Sequence, residues 1–399
     1  ITMSKPTDIE RVTQNRVVKL FEEELNYTYL GNWEEREGNS NIEEEYLINY
    51  LRRKGYSEVH ISKAIFELQQ VATNFSDSLY TTNKNVYSKL RNGVNVQVSA
   101  GENYDTVKLI NWQDPEDNDF YIAEEVALKG NKEKRPDIVL YVNGIAIAVL
   151  ELKRGIVDIG EGVRQNISNL QERFIKPFFA TNQILFAGND SEGLRYGTIS
   201  SPEKFYLSWK EDVEDNSRLL LDKYLIKMCS KERIIELIYD FIVFETGVKK
   251  LPRAHQYFGV KESQKYVNRY EGGIIWHTQG SGKSISMVYL AKWILENNPK
   301  ARVAIVTDRD ELDKQIEDVF TDSGEIIFRT KSGRDLMTKL GQPSPRLLCS
   351  LVHKFGSKDV ANFEKYLTEL SENPVQVSGE LFVFVDECHR TQSGKLHKT

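Results

Sequence analysis

The chain has 399 residues, of which 40% are hydrophobic and 28% charged, and its formal net charge at pH 7 is −6. This length exceeds what one hydrophobic core usually serves and predicts two or three domains, while the composition excludes a disordered or collagen-like chain. The negative charge excludes a uniformly basic coat for nucleic acid, although a local basic channel is compatible with it.

The sequence carries no signal for a membrane or a disulfide framework. No apolar run reaches the roughly 18 residues of a transmembrane helix, and the opening residues lack the apolar core of a secretory signal. Cys229, Cys349 and Cys388 are scattered and form no CxxC pair. We therefore expect a protein without membrane contact in a reduced, cytoplasmic setting.

The first part of the chain has helical patterns. Apolar residues at helical spacing predict amphipathic helices over residues 7–25, 42–54 and 58–75. On the second helix, Glu43 shares a face with the apolar residues and is the acid expected to point inward. The alternative is that Glu43 belongs to the solvated acidic edge of that helix.

Residues 94–187 change to the period of two that is typical of β-strands. The strand-like segments are VNVQVSA, TVKLINW, FYIAEEVAL, DIVLYV, IAIAVLEL and QILFAG, with one helix predicted at about 160–175. They predict an α/β unit built around a mixed sheet.

Within this unit, PDIVLYVNGIAIAVLELK reads as a β-hairpin whose charges lie near its ends. A two-residue turn at Asn143-Gly144 would put Asp137 and Glu151 on opposite faces. A three-residue turn with a bulge would pair Asp137 with Glu151 on one face, which Lys153 shares. If the segment is a site, we predict the bulged hairpin or an equivalent distortion.

Two carboxylates and a lysine on one face suit Mg²⁺-dependent hydrolysis of a phosphodiester. Asp137 and Glu151 are the expected ligands of the hard cation. Lys153 would orient the attacking water or help to deprotonate it. The alternative is a strand that ends in a surface ion pair, since the pattern E-x-K is abundant.

Residues 212–250 are predicted to be helical and to lead into a second unit that begins near residue 240. From residue 253, the unbroken apolar strands GGIIWH, ARVAIVTD and LFVFVDE alternate with helical stretches. Strands of this kind are buried on both faces, as in a parallel doubly wound sheet.

The motif HTQGSGKS, between a predicted strand and a predicted helix, indicates a phosphate-binding loop. Gly280 and Gly282 let backbone N–H groups face an anion, Lys283 would contact the β and γ phosphates, and Ser284 would bind Mg²⁺. His277 stands where the strict pattern has its first glycine. A chance GSGKS turn is the alternative, which the flanking elements disfavour.

A second acidic motif follows about a hundred residues later. LFVFVDECH ends an apolar strand with Asp386 and Glu387. An acid at the carboxyl end of a parallel strand lies in the crevice beside such a loop. Asp386 is expected to hold Mg²⁺, directly or through water, and Glu387 to polarise the attacking water.

HTQGSGKS followed by DECH resembles motifs I and II of superfamily 2 helicases. This resemblance implies a RecA-like domain that binds ATP, with Thr278 and Ser281 completing the loop contacts. LPRAHQYF resembles the adenine-reading motif and implies Gln256 as the adenine contact. His389 is implied to couple the nucleotide state to DNA, and VTDRDELDKQ and LLCSLVHKF resemble segments that contact the nucleic-acid backbone.

The hairpin resembles the centre of the PD-(D/E)xK nucleases, with thirteen residues between Asp137 and Glu151. The resemblance implies a helix with a Q-x-x-x-Y motif after the hairpin. Gln165 matches its first position, but Asn169 stands where the tyrosine belongs. It also implies a further glutamate near the metal, for which Glu43 is the candidate.

A nuclease followed by a superfamily 2 motor resembles the restriction subunit of type I restriction-modification enzymes. The predicted fold class is α/β, with a PD-(D/E)xK nuclease domain and helical connector at 1–240 and a RecA-like doubly wound domain at 241–399. The resemblance implies cleavage of double-stranded DNA coupled to ATP-driven translocation, with Mg²⁺ and ATP as cofactors. Modification and specificity subunits are the implied partners, and S-adenosylmethionine would bind the modification subunit.

A superfamily 2 motor also needs a second RecA-like domain, which is not found before residue 399. A chain that ends there is expected to bind ATP weakly and not to translocate. Two alternatives stay open for the function. One is a RecB-like repair nuclease-helicase that degrades from DNA ends, and the other is a DNA-binding scaffold with degenerate sites.

Overall fold

The structure is a computed structural model of the chain. It describes residues 6–74, 76–99, 101, 103–128, 134–171, 176–211, 215, 217–278, 280–307, 316, 320, 327–331, 333–351 and 376–386. Packing divides the chain into two units. The first comprises residues 1–242 and 247–254, and the second comprises residues 243–246 and 255–399.

The first unit combines helices with one large sheet. In chain order its helices α1–α7 are Pro6–Glu23, Glu44–Arg53, Glu58–Ala72, Leu79–Asn92, Ile159–Gln171, Leu220–Cys229 and Lys231–Asp240. Its strands β1–β9 are Thr28–Asn32, Val94–Gln97, Tyr104–Val107, Phe120–Glu124, Ile138–Val142, Ile145–Leu152, Ile184–Asn189, Gly193–Gly197 and Leu207–Ser208. Short 3₁₀ helices occupy Pro115–Asp117, Lys176–Ala180 and Glu203–Phe205.

Helix starts in this unit are set by local sequence. Ser57, Ser78 and Ser230 each accept a hydrogen bond from a backbone N–H in the first turn of α3, α4 and α7. Such caps satisfy donors that the helix itself leaves unpaired. Helix α4 was not predicted, because its polar sequence hides the face on which Asn83, Val86 and Leu90 are buried.

The large sheet has seven strands in the order β1-β4-β5-β6-β7-β8-β9. The β1–β4 and β6–β7 pairs are parallel, and the other neighbours are antiparallel. This confirms the predicted mixed sheet. Every residue of the central strands β5 and β6 is buried, and each apolar side chain buried there contributes roughly 1.5–3 kcal/mol.

Helices cover both faces of this sheet. A methyl group added at Gly162 of α5 would come within 3.2 Å of Ala187 Cβ, whereas one added at Gly188 would meet Leu221 of α6. Successive residues of a strand point to opposite faces. Helices α5 and α6 therefore pack on opposite sides of β7, and the core beneath α5 continues into β5 and β6.

Two short strands, β10 at Val243–Glu245 and β11 at Val248–Lys250, replace the end of the helical stretch predicted over 212–250. Thr246 and Gly247 between them have φ of 47° and 82°. This left-handed pair cannot continue a helix, and it is followed by β-branched Val248. The prediction was wrong over these ten or so residues.

The second unit contains a parallel sheet. Its elements are α8 at Ala254–Asn268, α9 at Lys283–Asn297, β12 at Ala301–Thr307, β13 at Ile327–Arg329, α10 at Gly333–Leu340, β14 at Leu347–Leu351 and β15 at Glu380–Val385. The strand order is β13-β14-β12-β15, and every pair is parallel. The expectation of a parallel sheet is confirmed.

The predicted strand GGIIWH is not a strand in the structure. Residues 271–278 lie outside the strands, and the side chains of Ile274 and Trp276 are 75% and 89% exposed. A strand needs a neighbour to pair its N–H and C=O groups. In the part of the second unit that the structure describes, this segment has no such neighbour.

No helix in the described ranges is both long and apolar enough to cross a membrane.

Candidate active site

The β5–β6 hairpin turns through the two residues that the sequence indicated. Asn143 and Gly144 have φ of 51° and 85°, and Val142 pairs with Ile145 across them. These are the dihedrals of a type I′ turn, whose twist matches the flanking strands. Of the two turns that the sequence left open, the structure has the two-residue turn.

A β-bulge follows two pairs beyond the turn. Tyr141 pairs with Ala146, but Leu140 pairs with Ala148, which leaves Ile147 as an extra residue in β6. One extra residue in one strand shifts every later pair by one position. The distortion that the site required is thus present, but inside β6 rather than at the turn.

The bulge sets the two carboxyl groups opposite each other. Ile138 pairs with Leu150, so the same register places Asp137 across from Glu151. Both residues continue the face of Val149, which belongs to the core cluster beneath α5. Without the bulge, Asp137 would lie opposite Leu150, on the other face from Glu151.

Glu151 is the most buried acid of the site, with no exposed surface. Its Oε1 accepts a hydrogen bond of 3.2 Å from Asn169 Nδ2, while its Oε2 is buried and has no donor among the residues that the structure describes. Burial, followed by the charge of Asp137, raises the pKa of Glu151 well above its ordinary value, and Lys153 opposes this shift. The site therefore sets two carboxyl groups close together in a buried environment, which disfavours the charged form of Glu151.

Asp137 and Lys153 both contact the main chain of Leu152. The Leu152 N–H donates to Asp137 Oδ2 at 2.5 Å, and Lys153 Nζ donates to the Leu152 carbonyl oxygen at 3.0 Å. Both side chains are only half-buried. The structure thus brings Asp137, Glu151 and Lys153 together at the carboxyl end of β6, with Glu151 inside and the other two nearer to solvent.

Helix α1 supplies a contact that the sequence did not predict. Gln14 is buried, and its Nε2 lies 3.1 Å from Glu125 Oε1 and 3.3 Å from both Glu124 Oε2 and the Asp137 carbonyl oxygen. One amide thus ties three groups at this edge of the sheet to α1. Its position three residues before Val17, on the apolar face of α1, was the available signal.

Glu125 is a further acid at this edge. It follows β4 with φ of 50°, a conformation that non-glycine residues seldom adopt. Its N–H donates to the Asp137 carbonyl oxygen at 3.0 Å, and its charge adds to the upward shift in the pKa of Glu151. No sequence pattern marks this residue, because its backbone conformation is set by the neighbouring strands.

Helix α5 packs closely against the site. Gly162 brings it near β6, because an added Cβ would lie 3.5 Å from Lys153 Cγ and 3.6 Å from the Glu151 carbonyl oxygen. Gln165 is half-buried on this helix, one turn before Asn169, which is 1% exposed. Asn169 stands at the tyrosine position of the Q-x-x-x-Y pattern. It is this residue of the pattern that contacts Glu151.

The structure does not bring Glu43 to this site, so that prediction was wrong. Glu43 caps the start of α2 and binds Arg36 through both carboxylate oxygens, at 2.6 and 3.0 Å. Its N–H donates to the Gly144 carbonyl oxygen at the hairpin turn. The turn is seven residues, or about 23 Å of strand, from Glu151. The buried face of α2 packs at the turn end of the hairpin, whereas Glu151 lies toward the other end.

The donor set at the site fits a hard divalent cation. Asp137 and Glu151 offer carboxylate oxygens, including the buried Glu151 Oε2 that accepts no hydrogen bond. The described residues contain no group of three or more His, Cys, Asp or Glu side chains arranged for a metal. Two carboxylates are nonetheless what Mg²⁺ usually takes from a protein, since it keeps several waters and phosphate oxygens. Magnesium is therefore the metal that these residues suit.

The phosphate-loop motif in the second unit begins a helix as predicted. Gly280 and Gly282 have φ of 76° and 86°, and α9 starts at Lys283 with Ser284 in its first turn. Left-handed glycines before a helix N-terminus direct backbone N–H groups toward an anion. Ser281 is buried, and its Oγ has no partner among the described residues.

Gln256 and His277 flank this loop. Gln256 is buried on α8 and donates to the Gly282 carbonyl oxygen at 2.9 Å, while Lys283 Nζ donates to the His277 carbonyl oxygen at 3.2 Å. The His277 ring lies 5.0 Å from the His255 ring. Burial, with the nearby His255 and Lys283, lowers the pKa of His277. The structure gathers Gln256, Ser281 and Lys283 at the loop, whereas Thr278 is exposed beside it.

Asp386 follows β15 at the carboxyl edge of the parallel sheet, where its N–H donates to the Val306 carbonyl oxygen at 2.9 Å. Helix α9 packs on β12 after a tight link at 298–300, so its start lies toward this same edge. Glu387 and His389 lie outside the described residues. So do most of VTDRDELDKQ and the end of LLCSLVHKF.

Two family models match the chain. Residues 9–204 match the model described as type I restriction enzyme R protein N terminus, and residues 255–399 match the SWI2/SNF2 ATPase model. The first match contains the carboxylate pair and α5, and the second contains the phosphate loop and Asp386.

Curated relatives of the chain are endonuclease subunits of type I restriction enzymes. The HindI subunit of Haemophilus influenzae is 29% identical over 354 residues, which cover 80% of this chain and 32% of that protein. The putative MjaIXP subunit of Methanocaldococcus jannaschii is 27% identical over 78% of this chain and 32% of its own length. A Staphylococcus aureus subunit, SauCOLORF180P, is 26% identical over 70% of this chain and 30% of its own length. The chain thus spans about a third of the length of the relatives it matches.

Proposed function

Because this chain belongs to the family of type I restriction enzyme endonuclease subunits, we propose that it carries the DNA-cutting centre and part of the ATP-driven motor of such an enzyme. The proposed activity is Mg²⁺-dependent cleavage of double-stranded DNA coupled to translocation. The nuclease domain corresponds to residues 1–240, with a PD-(D/E)xK fold, and the motor domain to 241–399, with a RecA-like fold.

The observation that carries the proposal is the bulged register that sets Asp137 opposite Glu151. A strand end in a buried sheet has no structural need for two facing acids, and here burial, together with the charge of Asp137, raises the pKa of Glu151. Perturbed carboxyl groups of this kind concentrate at functional sites. Lys153, two residues after Glu151 on the same strand face, completes the set that phosphodiester hydrolysis requires.

Each residue of the centre has a role that its environment supports. Asp137 and Glu151 would hold Mg²⁺, which when bound neutralises phosphate charge and lowers the pKa of a water ligand. Lys153, half-buried at the rim, places a positive charge where it can orient the attacking water and offset the charge of a phosphate. Gln165, half-buried on α5, is a candidate for contacting that water or the phosphate. The dry interior around Glu151 strengthens these electrostatic effects.

The second unit would bind the ATP phosphates at the start of α9. Lys283 and Ser284 would contact the phosphates and Mg²⁺, and Asp386 and Glu387 would supply the second metal contact and the polarising acid. Gln256 contacts Gly282 of the loop, so an adenine bound by Gln256 would lie beside the phosphates. Thr278 and Ser281 complete the loop contacts, and His389 is the proposed link between nucleotide state and DNA.

Recognition and methylation are proposed to belong to other subunits. The working enzyme would combine this polypeptide with specificity and modification subunits on double-stranded DNA, with S-adenosylmethionine bound by the modification subunit. A DNA substrate and the reduced cysteines expected from the sequence fit a cytoplasmic enzyme.

The nuclease assignment is tested with the full-length polypeptide assembled with its specificity and modification subunits. We expect ATP-dependent cutting of unmethylated circular plasmid, and its loss in Asp137→Ala. Asp119→Ala is the matched control, since Asp119 binds Arg53 at the turn end of the hairpin. Undiminished cutting by Asp137→Ala would disprove the assigned centre, and cutting only of linear DNA would favour a repair nuclease.

The motor assignment is tested separately by Lys283→Ala in the same assembly. We expect at least a hundredfold loss of DNA-stimulated ATP hydrolysis, since the lysine contacts the transferred phosphate. Plasmid cutting should be lost with it, while Mg²⁺ binding at Glu151 is kept. ATP hydrolysis at the wild-type rate would refute the proposed phosphate site.

A further inference from the structure

Asn169 touches Glu151 from the buried face of α5. Its side chain is 1% exposed, and its Nδ2 donates to Glu151 Oε1 at 3.2 Å. Its own Oδ1 is buried and has no donor among the residues that the structure describes. A buried amide that leaves its oxygen unsatisfied costs stability, and Asn166 Oδ1 on the same helix shares this cost. What distinguishes Asn169 is its hydrogen bond to Glu151.

The helix that carries Asn169 is fixed to the sheet independently of this contact. Asn166 Nδ2 donates to the Phe186 carbonyl oxygen of β7 at 2.9 Å. Gly162 allows the close approach to Ala187. Helix α5 would therefore stay in place if Asn169 lost its amide, and the contact with Glu151 is available to set the orientation of the carboxyl group.

The two oxygens of Glu151 differ because of this contact. Oε1 is held by Asn169, whereas Oε2 has no donor. The last torsion of a glutamate side chain is broad and two-fold, so without a donor the carboxylate can turn freely. Groups that hydrogen-bond a metal ligand commonly fix its orientation.

We propose that Asn169 is a positioning residue, which holds Oε1 of Glu151 so that Oε2 is presented to the divalent cation of the nuclease centre. This inference rests on the proposed Mg²⁺-dependent nuclease function. It also assigns a role to Asn169 as the residue that replaces the tyrosine of the Q-x-x-x-Y pattern. At the tyrosine position an amide donates to the metal-binding acid from α5.

Mg²⁺ binding by the DNA-free chain, measured by calorimetry, tests the role of Asn169. The binding that is lost in Glu151→Gln defines the signal from this site. Asn169→Leu keeps the shape of the side chain and removes the donor, and we expect Mg²⁺ affinity at this site to fall about tenfold. Asn166→Leu is the matched control, since it removes a buried amide from the same helix without touching Glu151. Its Mg²⁺ affinity should stay within about twofold of wild type.

Thermal unfolding separates positioning from stability. We expect both leucine variants to lose stability, because each leaves or removes a buried polar contact, but only Asn169→Leu to lose Mg²⁺ affinity. If Asn169→Leu fails to fold, the smaller Asn169→Ala, which also lacks a donor, takes its place with the same expected loss. Wild-type affinity in the Asn169 variant, or an equal loss in Asn166→Leu, overturns the proposal.

The outcomes also distinguish this inference from the proposed function. If Mg²⁺ affinity depends on Asn169 but the assembled enzyme cuts plasmid without Asp137, the nuclease assignment fails and the positioning role stands. If Asp137 is required for cutting but Asn169→Leu binds Mg²⁺ normally, the positioning role fails alone. If the wild type has no Mg²⁺ binding that depends on Glu151, both fail.

Discussion

Glu151 is an acid whose surroundings oppose its ionisation. It has no exposed surface, and Asp137 and Glu125 both add negative charge nearby. Only Lys153 and the amide of Asn169 favour the charged form. A residue in such a place lowers the stability of the folded chain at neutral pH, as active-site groups often do. This conflict makes the buried charge of Glu151 testable through stability.

We predict that Glu151→Gln stabilises the folded chain at pH 8 by about 1–2 kcal/mol, a usual size for replacing a strained active-site group. The pKa of Glu151 is raised by folding, so its stabilising contribution is complete below about pH 4.3, the ordinary glutamate value, and is lost as pH rises through the folded value. Glutamine keeps the shape and cannot ionise. The gain should therefore vanish at pH 4.

Chemical denaturation of both proteins at the two pH values measures this effect. Glu58→Gln is the control, because the exposed Glu58 has its pKa lowered by Arg52 and gains nothing from becoming neutral. Equal stability of wild type and Glu151→Gln at pH 8 would contradict the buried charge.

A second residue-scale prediction concerns Gln14. Replacing it with methionine keeps most of its volume but removes the amide that lies between Glu124, Glu125 and the Asp137 carbonyl oxygen. Loss of a buried donor to these acceptors should cost about 1–3 kcal/mol of the free energy of unfolding. Gln69→Met, at a half-buried glutamine whose amide binds Glu44 at the surface, should cost much less. Equal losses in urea denaturation would show that Gln14 only fills space.

At the scale of elements, the hairpin and its bulge create the site. The type I′ turn fixes where β5 and β6 begin to pair, and the extra residue Ile147 then moves Asp137 opposite Glu151. The bulge is held from outside the hairpin, because the Gln183 N–H donates to the Ile147 carbonyl oxygen at 2.7 Å. The residue just before β7 therefore helps to set the register that brings the carboxyl groups together.

Position 144 of the turn is predicted to tolerate no side chain larger than that of glycine. In Gly144→Ala, the new methyl group would lie 2.6 Å from the Glu43 carbonyl oxygen, at a φ of 85° that alanine disfavours. Gly55→Ala has a similar φ of 83° but open space around the methyl group. The control should therefore cost only the strain of about 1 kcal/mol, while Gly144→Ala should cost at least about 2 kcal/mol more.

Urea denaturation of the two alanine variants gives the comparison. A clash at Gly144 should appear as a lower midpoint with an unchanged slope. Equal midpoints for the two variants would mean that α2 can move away from the turn without loss.

At the scale of the whole molecule, residues 247–254 belong to the first unit. Lys249 is 1% exposed, and its Nζ donates to Asn83 Oδ1 at 2.8 Å, Gln183 Oε1 at 2.6 Å and the Asn182 carbonyl oxygen at 3.4 Å. Burial lowers its pKa. The Tyr196 hydroxyl donates to the Pro252 carbonyl oxygen at 2.6 Å. The first unit thus includes residues 247–254, which lie close to the boundary predicted near 240.

We predict that a chain ending at Ala254 unfolds at a higher temperature than one ending at Ile242. The shorter chain loses Lys249 and leaves the buried amides of Asn83 and Gln183 without their ammonium partner, at a cost of about 1–3 kcal/mol for each unsatisfied group. Thermal unfolding of the two chains, followed by circular dichroism, measures the difference. Identical unfolding temperatures would show that residues 243–254 are dispensable for the first unit.

Several features of this protein followed from the sequence alone. The mixed and parallel sheets could be read from the local period of apolar residues, because burial of one or both strand faces imposes that period. The phosphate loop could be predicted from Gly280 and Gly282, because a backbone with positive φ just before a helix favours glycine. The sequence predicted the pairing of Asp137 with Glu151 only on the condition that the segment is a site. A two-residue turn without a bulge would have placed the two residues on opposite faces.

The tertiary structure decided what depends on neighbours distant in sequence. It set the bulge at Ile147, where Gln183 supplies a hydrogen bond from just before β7. It also placed Glu43 at the turn end of the hairpin, away from Glu151. It brought Gln14, Glu125 and Asn169 to the carboxyl groups from three separate elements. Periodicity shows which face of an element is buried, but the place along the partner strand where that face lands is fixed by packing between elements.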